Sequence, residues 1–216
     1  MMYGFKAFLF DLNGTMIDDM DYHVRSWHRI LNSLGAGITK EQAKAECYGK
    51  NHELIERIFP GRFSTAEKDR MSVEKEKQYQ AEYKPSLALL PGLMDLLVIA
   101  KQKNIKMAIG SAAIMFNIDF VLDGLNIRDY FDVIVSADDV LKSKPDPETY
   151  LKCASLLGIH PKDCLVFEDV PKGVESAHKA GMKAMVLTTM HEDQEFNHLD
   201  NVLGFHDDYT TMPFKQ

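Results

Sequence analysis

The sequence predicts an α/β fold, in which a Rossmann-like, mostly parallel sheet carries helices on both faces and a small all-helical cap is inserted. Three observations predict this fold. Short apolar runs recur along the chain, and polar residues follow each of them. Stretches with apolar residues at three-to-four spacing separate these runs, as helices separate the strands of a parallel sheet. One long segment near the start of the chain, residues 17–84, is helical in pattern throughout.

The first apolar run, residues 5–10, ends at Asp11 and has no polar alternation, which is typical of a strand that is buried on both faces. Four later runs have the same form: residues 105–109 before Gly110 and Ser111, 133–135 before Ser136, 165–167 before Glu168 and Asp169, and 184–187 before Thr188 and Thr189. Ligands of such sheets bind beyond the carboxyl ends of the strands. We therefore expect these polar residues to meet at one edge of the sheet.

Helices are predicted between the strands. Residues 93–100 and 150–157 carry apolar side chains at helical spacing, and Gly158 is placed as a C-terminal cap of the second helix. The segment 17–84 is rich in Lys, Glu and Gln, with Gly35, Gly37 and the sequence Phe59-Pro60-Gly61 between its helices. Its dense charge at residues 68–77 is interpreted as the solvated face of a helix.

We predict that residues 17–85 form a helical cap domain inserted into a core domain of residues 1–16 and 86–216. The two connections, near residues 18–21 and 85–91, lie close to Asp11 in the predicted topology. The cap is therefore expected to open and close over Asp11. The polar tail after Met190 has no readable pattern.

The composition limits the possible partners. A chain of 216 residues that is 45% apolar is long enough for one core and a smaller insert. The net charge is −7 and the basic residues are scattered, so we expect no nucleic-acid partner. The chain shows neither an N-terminal signal pattern nor an apolar run of membrane-spanning length, so we expect a cytoplasmic protein without membrane contact. We also expect a monomer. The three cysteines, Cys47, Cys153 and Cys164, match neither a metal site nor a disulfide framework and are interpreted as reduced structural thiols.

The segment 8–15, with the sequence Phe-Leu-Phe-Asp-Leu-Asn-Gly-Thr, carries the clearest chemical signal. The carboxylate of Asp11 at a strand end is followed by a turn with Gly14 and by the hydroxyl of Thr15. Such a turn exposes one oxygen nucleophile and directs backbone N–H groups into the same space, where they can hold a phosphoryl group. Taken alone, the octapeptide also fits a plain turn that closes a strand.

Three further segments add to this signal. Ser111 supplies a hydroxyl at a strand end, although a solvated loop serine has the same sequence pattern. Lys144 precedes the rigid turn Pro145-Asp146-Pro147, which gives its cation a defined direction; a surface lysine is the alternative. Glu168 and Asp169 are adjacent carboxylates at the end of a buried strand, where their repulsion is costly without a cation. Oxygen ligands of this kind suit Mg²⁺.

In order and spacing, these four segments resemble the four signature motifs of the haloacid dehalogenase superfamily, and the match covers nearly the whole chain. The tract from residue 21 to Trp27, the helical insert and the sequence Gly49-Lys50-Asn51-His52 further resemble the beta-phosphoglucomutase-like subfamily. The resemblance implies magnesium-dependent phosphoryl transfer on a small phosphorylated metabolite, by a phosphatase or a phosphomutase.

The resemblance also implies roles for individual residues. Asp11 would be the nucleophile that forms an aspartyl-phosphate, and Mg²⁺ would be held by Asp11, the main-chain carbonyl of Asn13 and Asp169, with help from Glu168. The phosphoryl oxygens would be bound by Ser111 and by groups around Gly14, Thr15 and Ala112, while Lys144 would bridge Asp11 and the phosphoryl group. His23 and Trp27, one helical turn apart, and Lys50 and His52 at a helix start, would contact substrate. A packing role for His23 and Trp27 is the alternative, and His52 stands where the subfamily commonly has arginine.

Asn13 departs from the family pattern, which has an aspartate that protonates the leaving oxygen and then activates the attacking group. An amide performs neither transfer, and general acid–base assistance is worth roughly 10² to 10⁴ in rate. Four interpretations stay open. The asparagine is an engineered substitution, or another group such as His23 or Asp18 supplies the proton, or the reaction needs no acid there, or the protein binds without turnover.

The third interpretation has precedents in the superfamily, since haloacid dehalogenases and phosphonoacetaldehyde hydrolases also lack this aspartate. The former do not use Mg²⁺, so Glu168 and Asp169 argue against dehalogenation. The latter form a Schiff base with a lysine from the insert, for which Lys50 and Lys44 are the candidates. The alternatives to an active phosphatase or phosphomutase are therefore a non-catalytic or impaired phospho-ligand-binding protein and a phosphonoacetaldehyde hydrolase-like enzyme.

Overall fold

Short buried segments of the chain pair into a single six-stranded sheet in the computed structural model, which describes residues 4–212. The helices and strands follow one another in this order: β1 Ala7–Phe10, α1 Met20–Ser33, α2 Lys40–Glu46, α3 Asn51–Ile58, α4 Thr65–Tyr83, α5 Leu93–Gln102, β2 Lys106–Gly110, α6 Met115–Gly124, β3 Val133–Val135, α7 Glu148–Leu157, β4 Cys164–Glu168, α8 Pro171–Lys179, β5 Lys183–Leu187 and β6 Val202–His206. The order across the sheet is β3-β2-β1-β4-β5-β6, and each neighbouring pair is parallel. The predicted α/β fold is confirmed.

The five predicted strands are present within two residues of their predicted bounds, and β6 is an addition from the tail after Met190. This strand pairs only with β5, at the edge of the sheet. Its residues are exposed or half-buried, in contrast to the fully buried β1. An edge strand of this kind does not need a continuous apolar run, which is why the sequence pattern did not indicate it.

The core lies on both faces of the sheet, and alternate residues of β1 point into its two halves. Phe8 and Phe10 pack with residues of α5 and α6, whereas Ala7 and Leu9 pack with residues of α7 and α8. The rings of Phe10 and Phe167 stack with their centroids 4.6 Å apart, which joins neighbouring strands on one face. Burial on both faces makes β1 and β4 a rigid base for the residues that follow them.

The register of the central strands determines which residues meet beyond them. Phe10 of β1 is paired with Ile109 of β2 on one side and with Phe167 of β4 on the other. Asp11 continues this pairing, since its backbone N–H donates to the carbonyl of Phe167 at 3.0 Å. The residues that follow the three strands therefore lie side by side at the carboxyl edge of the sheet.

The helices α1–α4, which we call the cap helices, follow one another between β1 and α5. They have an apolar cluster of their own, in which Trp27 and Leu31 of α1 pack with Leu54 and Ile55 of α3. The side chains of Thr39 and Ser64 cap α2 and α4 in reciprocal pairs with Gln42 and Glu67. Among the described residues, no helix combines the length and the apolar character that a membrane span requires. The division into domains at 16/17 and 85/86 stays a prediction.

Candidate active site

Three carboxylates meet beyond the carboxyl ends of β1 and β4. Asp11, Glu168 and Asp169 each offer an oxygen that lies within 4.8 Å of the oxygens of the other two. Lys144 lies among them, with its Nζ 2.7 Å from Asp11 Oδ1 and 2.6 Å from Glu168 Oε1. The hydroxyl of Tyr150, on α7, also donates to Glu168 Oε1 at 2.7 Å. The sheet thus brings together four of the residues that the sequence analysis singled out.

Burial strongly perturbs the charges of this cluster. Burial raises the pKa of Asp11 to about 7, the cation of Lys144 opposes this shift and the carboxylate of Glu168 adds to it. Burial and the neighbouring carboxylates of Glu168 and Asp11 raise the pKa of Asp169 well above its ordinary value. Asp169 Oδ2 is buried and has no hydrogen-bond partner among the described residues. One lysine does not balance three carboxylates, so the cluster is suited to a divalent cation.

The loop after β1 is shaped around Asp169. Gly14 adopts a left-handed φ of +76°, and a Cβ at this position would lie 2.1 Å from Asp169 Oδ2, so glycine is required here. The hydroxyl of Thr15 donates to Asp169 Oδ1 at 2.9 Å. The backbone N–H of Gly14 donates to Asp19 Oδ1 at 3.1 Å. Gly14 and Thr15 therefore form the wall behind the carboxylates, and their contact with a phosphoryl group stays a prediction.

Asn13 directs its amide away from the carboxylate cluster toward the start of α1. Its Nδ2 donates to Asp19 Oδ2 at 2.5 Å and lies 2.9 Å from His23 Nε2. The carboxylate of Asp19 also accepts a hydrogen bond from Tyr79, and its pKa is lowered by His23 and by its hydrogen bonds, although burial opposes this. Asp18, the other proton donor considered from sequence, is exposed.

A cavity of about 110 Å³ lies between the cap helices and the sheet. Its lining on the sheet side includes Asp11, Asn13, Ser111, Ala112, Lys144 and Asp169, and on the cap side His23, Trp27, Asn51, Lys75 and Glu76. The Ser111 hydroxyl, which accepts a hydrogen bond from the Ala113 N–H at 3.1 Å, is buried in this wall. The cavity gives a ligand access to the carboxylate cluster from the cap side.

The structure gives the four predicted cap residues different surroundings. His23 and Trp27 line the cavity, and the His23 ring stacks on Tyr79 at 3.9 Å between centroids. Lys50 instead donates through Nζ to the carbonyl oxygen of Val140, and His52 pairs with Asp69 at 2.8 Å. Lys50 and His52 do not line the cavity. Other partners hold both side chains in this arrangement, and their assignment as substrate-binding residues stays a prediction.

Several cavity residues were missed by sequence reasoning. Lys75 and Glu76 fall in the charged run that was interpreted as a solvated face, yet each is only 2% exposed. The buried residues of α4, which include Ser72 and Tyr79, recur at three-to-four spacing, and that period was the available signal. Asp19 lies four residues before His23, a spacing that pairs side chains on a helix.

Comparison with known proteins agrees with this geometry. The family model described as haloacid dehalogenase-like hydrolase matches residues 8–187. A beta-phosphoglucomutase of Bacillus subtilis is 33% identical over 83% of this chain and 82% of its own length. A fructose-1-phosphate phosphatase of Escherichia coli is 29% identical over 84% of this chain and 95% of its own length. The crystal structure of a beta-phosphoglucomutase from Clostridium difficile superposes with a TM-score of 0.83 at 29% identity, and the match covers 97% of this chain and 94% of the other.

The family match covers more than half of the chain, and the relatives share its fold over nearly their whole length. This chain therefore belongs to the haloacid dehalogenase-like hydrolases, in the beta-phosphoglucomutase-like subfamily, and is an enzyme of that family.

Proposed function

We propose that the chain is a phosphatase that transfers the phosphoryl group of a small polyhydroxylated phosphomonoester to Asp11 and then to water, with Mg²⁺ as cofactor. The observation that carries the proposal is the convergence of Asp11, Lys144, Glu168 and Asp169 on one wall of a cavity. The relatives of this chain include a beta-phosphoglucomutase and a fructose-1-phosphate phosphatase, which supports a sugar or polyol phosphate as substrate.

In the proposed reaction an oxygen of Asp11 attacks phosphorus, the bond from phosphorus to the ester oxygen breaks, and the leaving alkoxide takes up a proton. Water then attacks the phosphorus of the acyl phosphate, which releases inorganic phosphate and restores the carboxylate. Lys144, 2.7 Å from Asp11 Oδ1, would neutralise the charge that gathers on the phosphoryl oxygens. The Ser111 hydroxyl and the Ala112 N–H would hold those oxygens.

The residues at the site fit Mg²⁺. Asp11, Asp169 and the main-chain carbonyl of Asn13 would hold the ion, and Glu168 would assist directly or through water. The buried Asp169 Oδ2, without a hydrogen-bond partner among the described residues, supports this assignment because a buried carboxylate oxygen needs a donor or a cation. The bound ion would neutralise the negative charge of the carboxylates and of the phosphoryl group, which otherwise repel each other.

A hydrolase and a mutase need different numbers of cations in the cavity. A mutase that moves a phosphoryl group between two hydroxyls of one sugar has to hold a bisphosphate, so it needs cations at both ends of the ligand. The described lysines that line the cavity are Lys75, Lys144 and Lys172. Lys144 is bound to Asp11 and Glu168, and Lys75 is bound to Glu76 at 3.0 Å. Lys172 packs on the ring of Tyr48 and is the one cavity lysine without a carboxylate partner among the described residues, so it alone would be left to hold the second phosphoryl group of a bisphosphate.

Because position 13 is an asparagine, we expect the phosphatase to be slow. Its amide cannot protonate the leaving alkoxide, so esters with poor leaving groups are expected to turn over slowly, whereas acyl phosphates need no such proton. A proton donor role of the neighbouring His23 stays a prediction. The origin of Asn13, natural or engineered, stays open.

Two other functions are compatible with the family. A protein that binds phospho-ligands without turnover would keep the cavity and lose only the acid–base group, as in this chain. A phosphonoacetaldehyde hydrolase-like activity needs a neutral amine from the cap, and neither Lys44 nor Lys50 lines the cavity. The cap lysine that does is Lys75, whose Nζ contacts His23 Nδ1 and Glu76 Oε1. An ion-paired lysine is a poor nucleophile, so this alternative is less well supported.

The test is a phosphate-release assay with acetyl phosphate, whose leaving group needs no proton. Turnover should require Mg²⁺ and should be lost in Asp11→Ala and after chelation with EDTA. A phospho-enzyme that is sensitive to hydroxylamine should form in the wild type. Turnover that is indifferent to EDTA and to Asp11→Ala would refute the proposal, and retained ligand binding without any phospho-enzyme would favour the binding protein. The cytoplasmic location, the monomeric state and the cap domain of residues 17–85 stay predictions beside it.

A further inference from the structure

A row of buried polar groups runs along the cap side of the cavity, away from the carboxylate cluster. It starts at the Asn13 amide, which lies 2.9 Å from His23 Nε2. The other ring nitrogen of His23 contacts Lys75 Nζ, and Lys75 donates to Glu76 Oε1 at 3.0 Å. Asn51 Nδ2, on α3, donates to the same oxygen at 3.0 Å. The non-phosphorylated part of a ligand at Asp11 would therefore face this row.

Glu76 is the unsatisfied member of the row. Its side chain is 2% exposed, and its Oε2 is buried with no hydrogen-bond partner among the described residues, although Oε1 has two. Lys75, His23 and Asn51 lower its pKa despite its burial, so the group is an anion that only accepts hydrogen bonds. A buried acceptor without a donor costs about 1–3 kcal/mol. A residue that keeps this cost in a cavity wall is suited to bind a ligand that supplies the donor.

We propose that Glu76 determines substrate specificity, by accepting a hydrogen bond from a hydroxyl group of the substrate and by repelling substrates that carry a carboxylate there. The proposal rests on the proposed phosphatase function and deepens it, because it names the residue that would select monophosphates with hydroxyl groups over those with a carboxylate. Lys75 does not reverse this selection, because its Nζ is engaged by Glu76 Oε1 and His23 Nδ1, whereas Glu76 Oε2 has no hydrogen-bond partner among the described residues. The neighbouring Asn51 fixes Oε1, so Oε2 is the oxygen left for the ligand.

The matched substrates for the test are glucitol 6-phosphate, which has hydroxyls, and phosphoglycolate, which has a carboxylate in their place. The variant is Glu76→Gln, which keeps the shape of the side chain, removes its charge and makes one of its two terminal positions a donor. A hydrogen bond to a charged group contributes about 1.5–3 kcal/mol, and 1.4 kcal/mol is tenfold. We therefore expect the ratio of kcat/KM for glucitol 6-phosphate to that for phosphoglycolate to fall about tenfold or more. Glu74→Gln, on the exposed side of the same helix, is the matched control and should leave the ratio unchanged.

The experiment distinguishes a failure of the proposed phosphatase function from a failure of the proposed role of Glu76. Wild-type turnover of acetyl phosphate establishes the phosphoryl chemistry independently of the ligand's hydroxyls, so its absence would refute the proposed function rather than the role of Glu76. With that chemistry present, equal loss for both substrates in Glu76→Gln would overturn the specificity role and indicate structural damage. Unchanged kcat/KM values for both substrates would overturn the specificity role as well. The ratio of the association constants of the two ligands, measured by calorimetry, should fall together with the kinetic ratio.

Discussion

At the scale of single residues, Asn13 separates two tasks that one family position usually combines. Its main-chain carbonyl can still serve a metal ion, because the side chain has no part in that contact. The side chain is held by Asp19 and lies beside His23 in the wall of the cavity that also contains Asp11. Replacing a carboxyl by an amide keeps this hydrogen bond but removes the transferable proton. The expected loss therefore depends on the leaving group and not on binding.

Asn13→Asp tests this separation. We expect the variant to raise the hydrolysis rate of glucitol 6-phosphate by about 10²–10⁴, the usual contribution of general acid–base catalysis. The carboxylate of Asp19, which accepts from the Asn13 amide at 2.5 Å, would raise the pKa of the introduced carboxyl and keep it protonated for the first step. Acetyl phosphate, whose leaving group needs no proton, should gain far less at the same step. A steady-state assay of phosphate release with both substrates, and with Asn13→Ala as control, measures this; an equal gain for both would contradict the assignment.

At the scale of elements, the cap helices contact the loop that carries Lys144. The N-terminal turn of α3 lies against residues 140–143, where Lys50 Nζ donates to the Val140 carbonyl and the Ser143 hydroxyl donates to Glu53 Oε2. The backbone N–H of Lys50 also donates to Glu53 Oε2, at 3.0 Å. Ser143 directly precedes Lys144. The position of α3 and the position of Lys144 are therefore connected through one carboxylate.

This coupling predicts non-additive effects of Glu53→Gln and Ser143→Ala. Each single substitution should lower kcat/KM several-fold, and the double variant should be little worse than either, with an interaction energy of about 0.5–3 kcal/mol for residues in contact. The measurement is a double-mutant cycle on kcat/KM with acetyl phosphate. Glu56→Gln, one turn further along α3, is the control, because Glu56 contacts Lys68 and the Gly61 N–H within the cap helices and their connections. Additive effects would show that the contact does not act on Lys144.

The elements also show how far the sequence could predict this enzyme. The sequence could predict four residues of the site, Asp11, Ser111, Glu168 and Asp169. Each follows a run of apolar residues that indicates a buried parallel strand, and the residues that follow such strands lie at one edge of the sheet. The row of polar groups on the cap side could not be predicted from the sequence. Lys75 and Glu76 become buried only when α4 packs against α1 and α3 and the cap helices meet the sheet. The contact of Tyr209 could not be predicted either. Its hydroxyl donates to the Thr15 carbonyl at 2.9 Å, but Tyr209 lies in the tail after Met190, which has no readable sequence pattern. Such contacts join residues far apart in the chain, and local periodicity carries no information about them.

At the scale of the whole molecule, the acidic cluster makes the stability of the fold depend on a cation. Three carboxylates share one buried lysine, so their mutual repulsion is part of the cost of folding when no metal is bound. In the proposed function the same charges would bind the ion that the reaction needs. A ligand that binds only the folded state adds its binding energy to the free energy of unfolding. Stability, metal affinity and pH are therefore linked in this protein.

The linkage predicts opposite effects of pH on the protein with and without Mg²⁺. The pKa of Asp11 is about 7 in the folded metal-free protein and 3.8 in its ordinary state. Its contribution to stability is thus complete below about pH 4 and is lost as the pH rises through 7. In EDTA the midpoint of thermal unfolding should therefore fall between pH 5 and pH 8. The ion competes with protons for the carboxylates, so the stabilisation by Mg²⁺ should grow over the same range.

Thermal unfolding followed by circular dichroism, in EDTA and in excess Mg²⁺ at each pH, measures this effect, and charges away from the cluster cancel in the difference. An ion at 100 times its dissociation constant adds about 2.7 kcal/mol, which is about 5–10 °C for a chain of this size. Asp169→Asn should make the metal-free protein less sensitive to pH and should remove most of the gain from Mg²⁺, because it deletes one of the repelling carboxylates and one of the proposed ligands together. A gain from Mg²⁺ that is equal at pH 5 and pH 8, or that survives in Asp169→Asn, would place the ion elsewhere and separate the acidic cluster from the metal requirement of the enzyme.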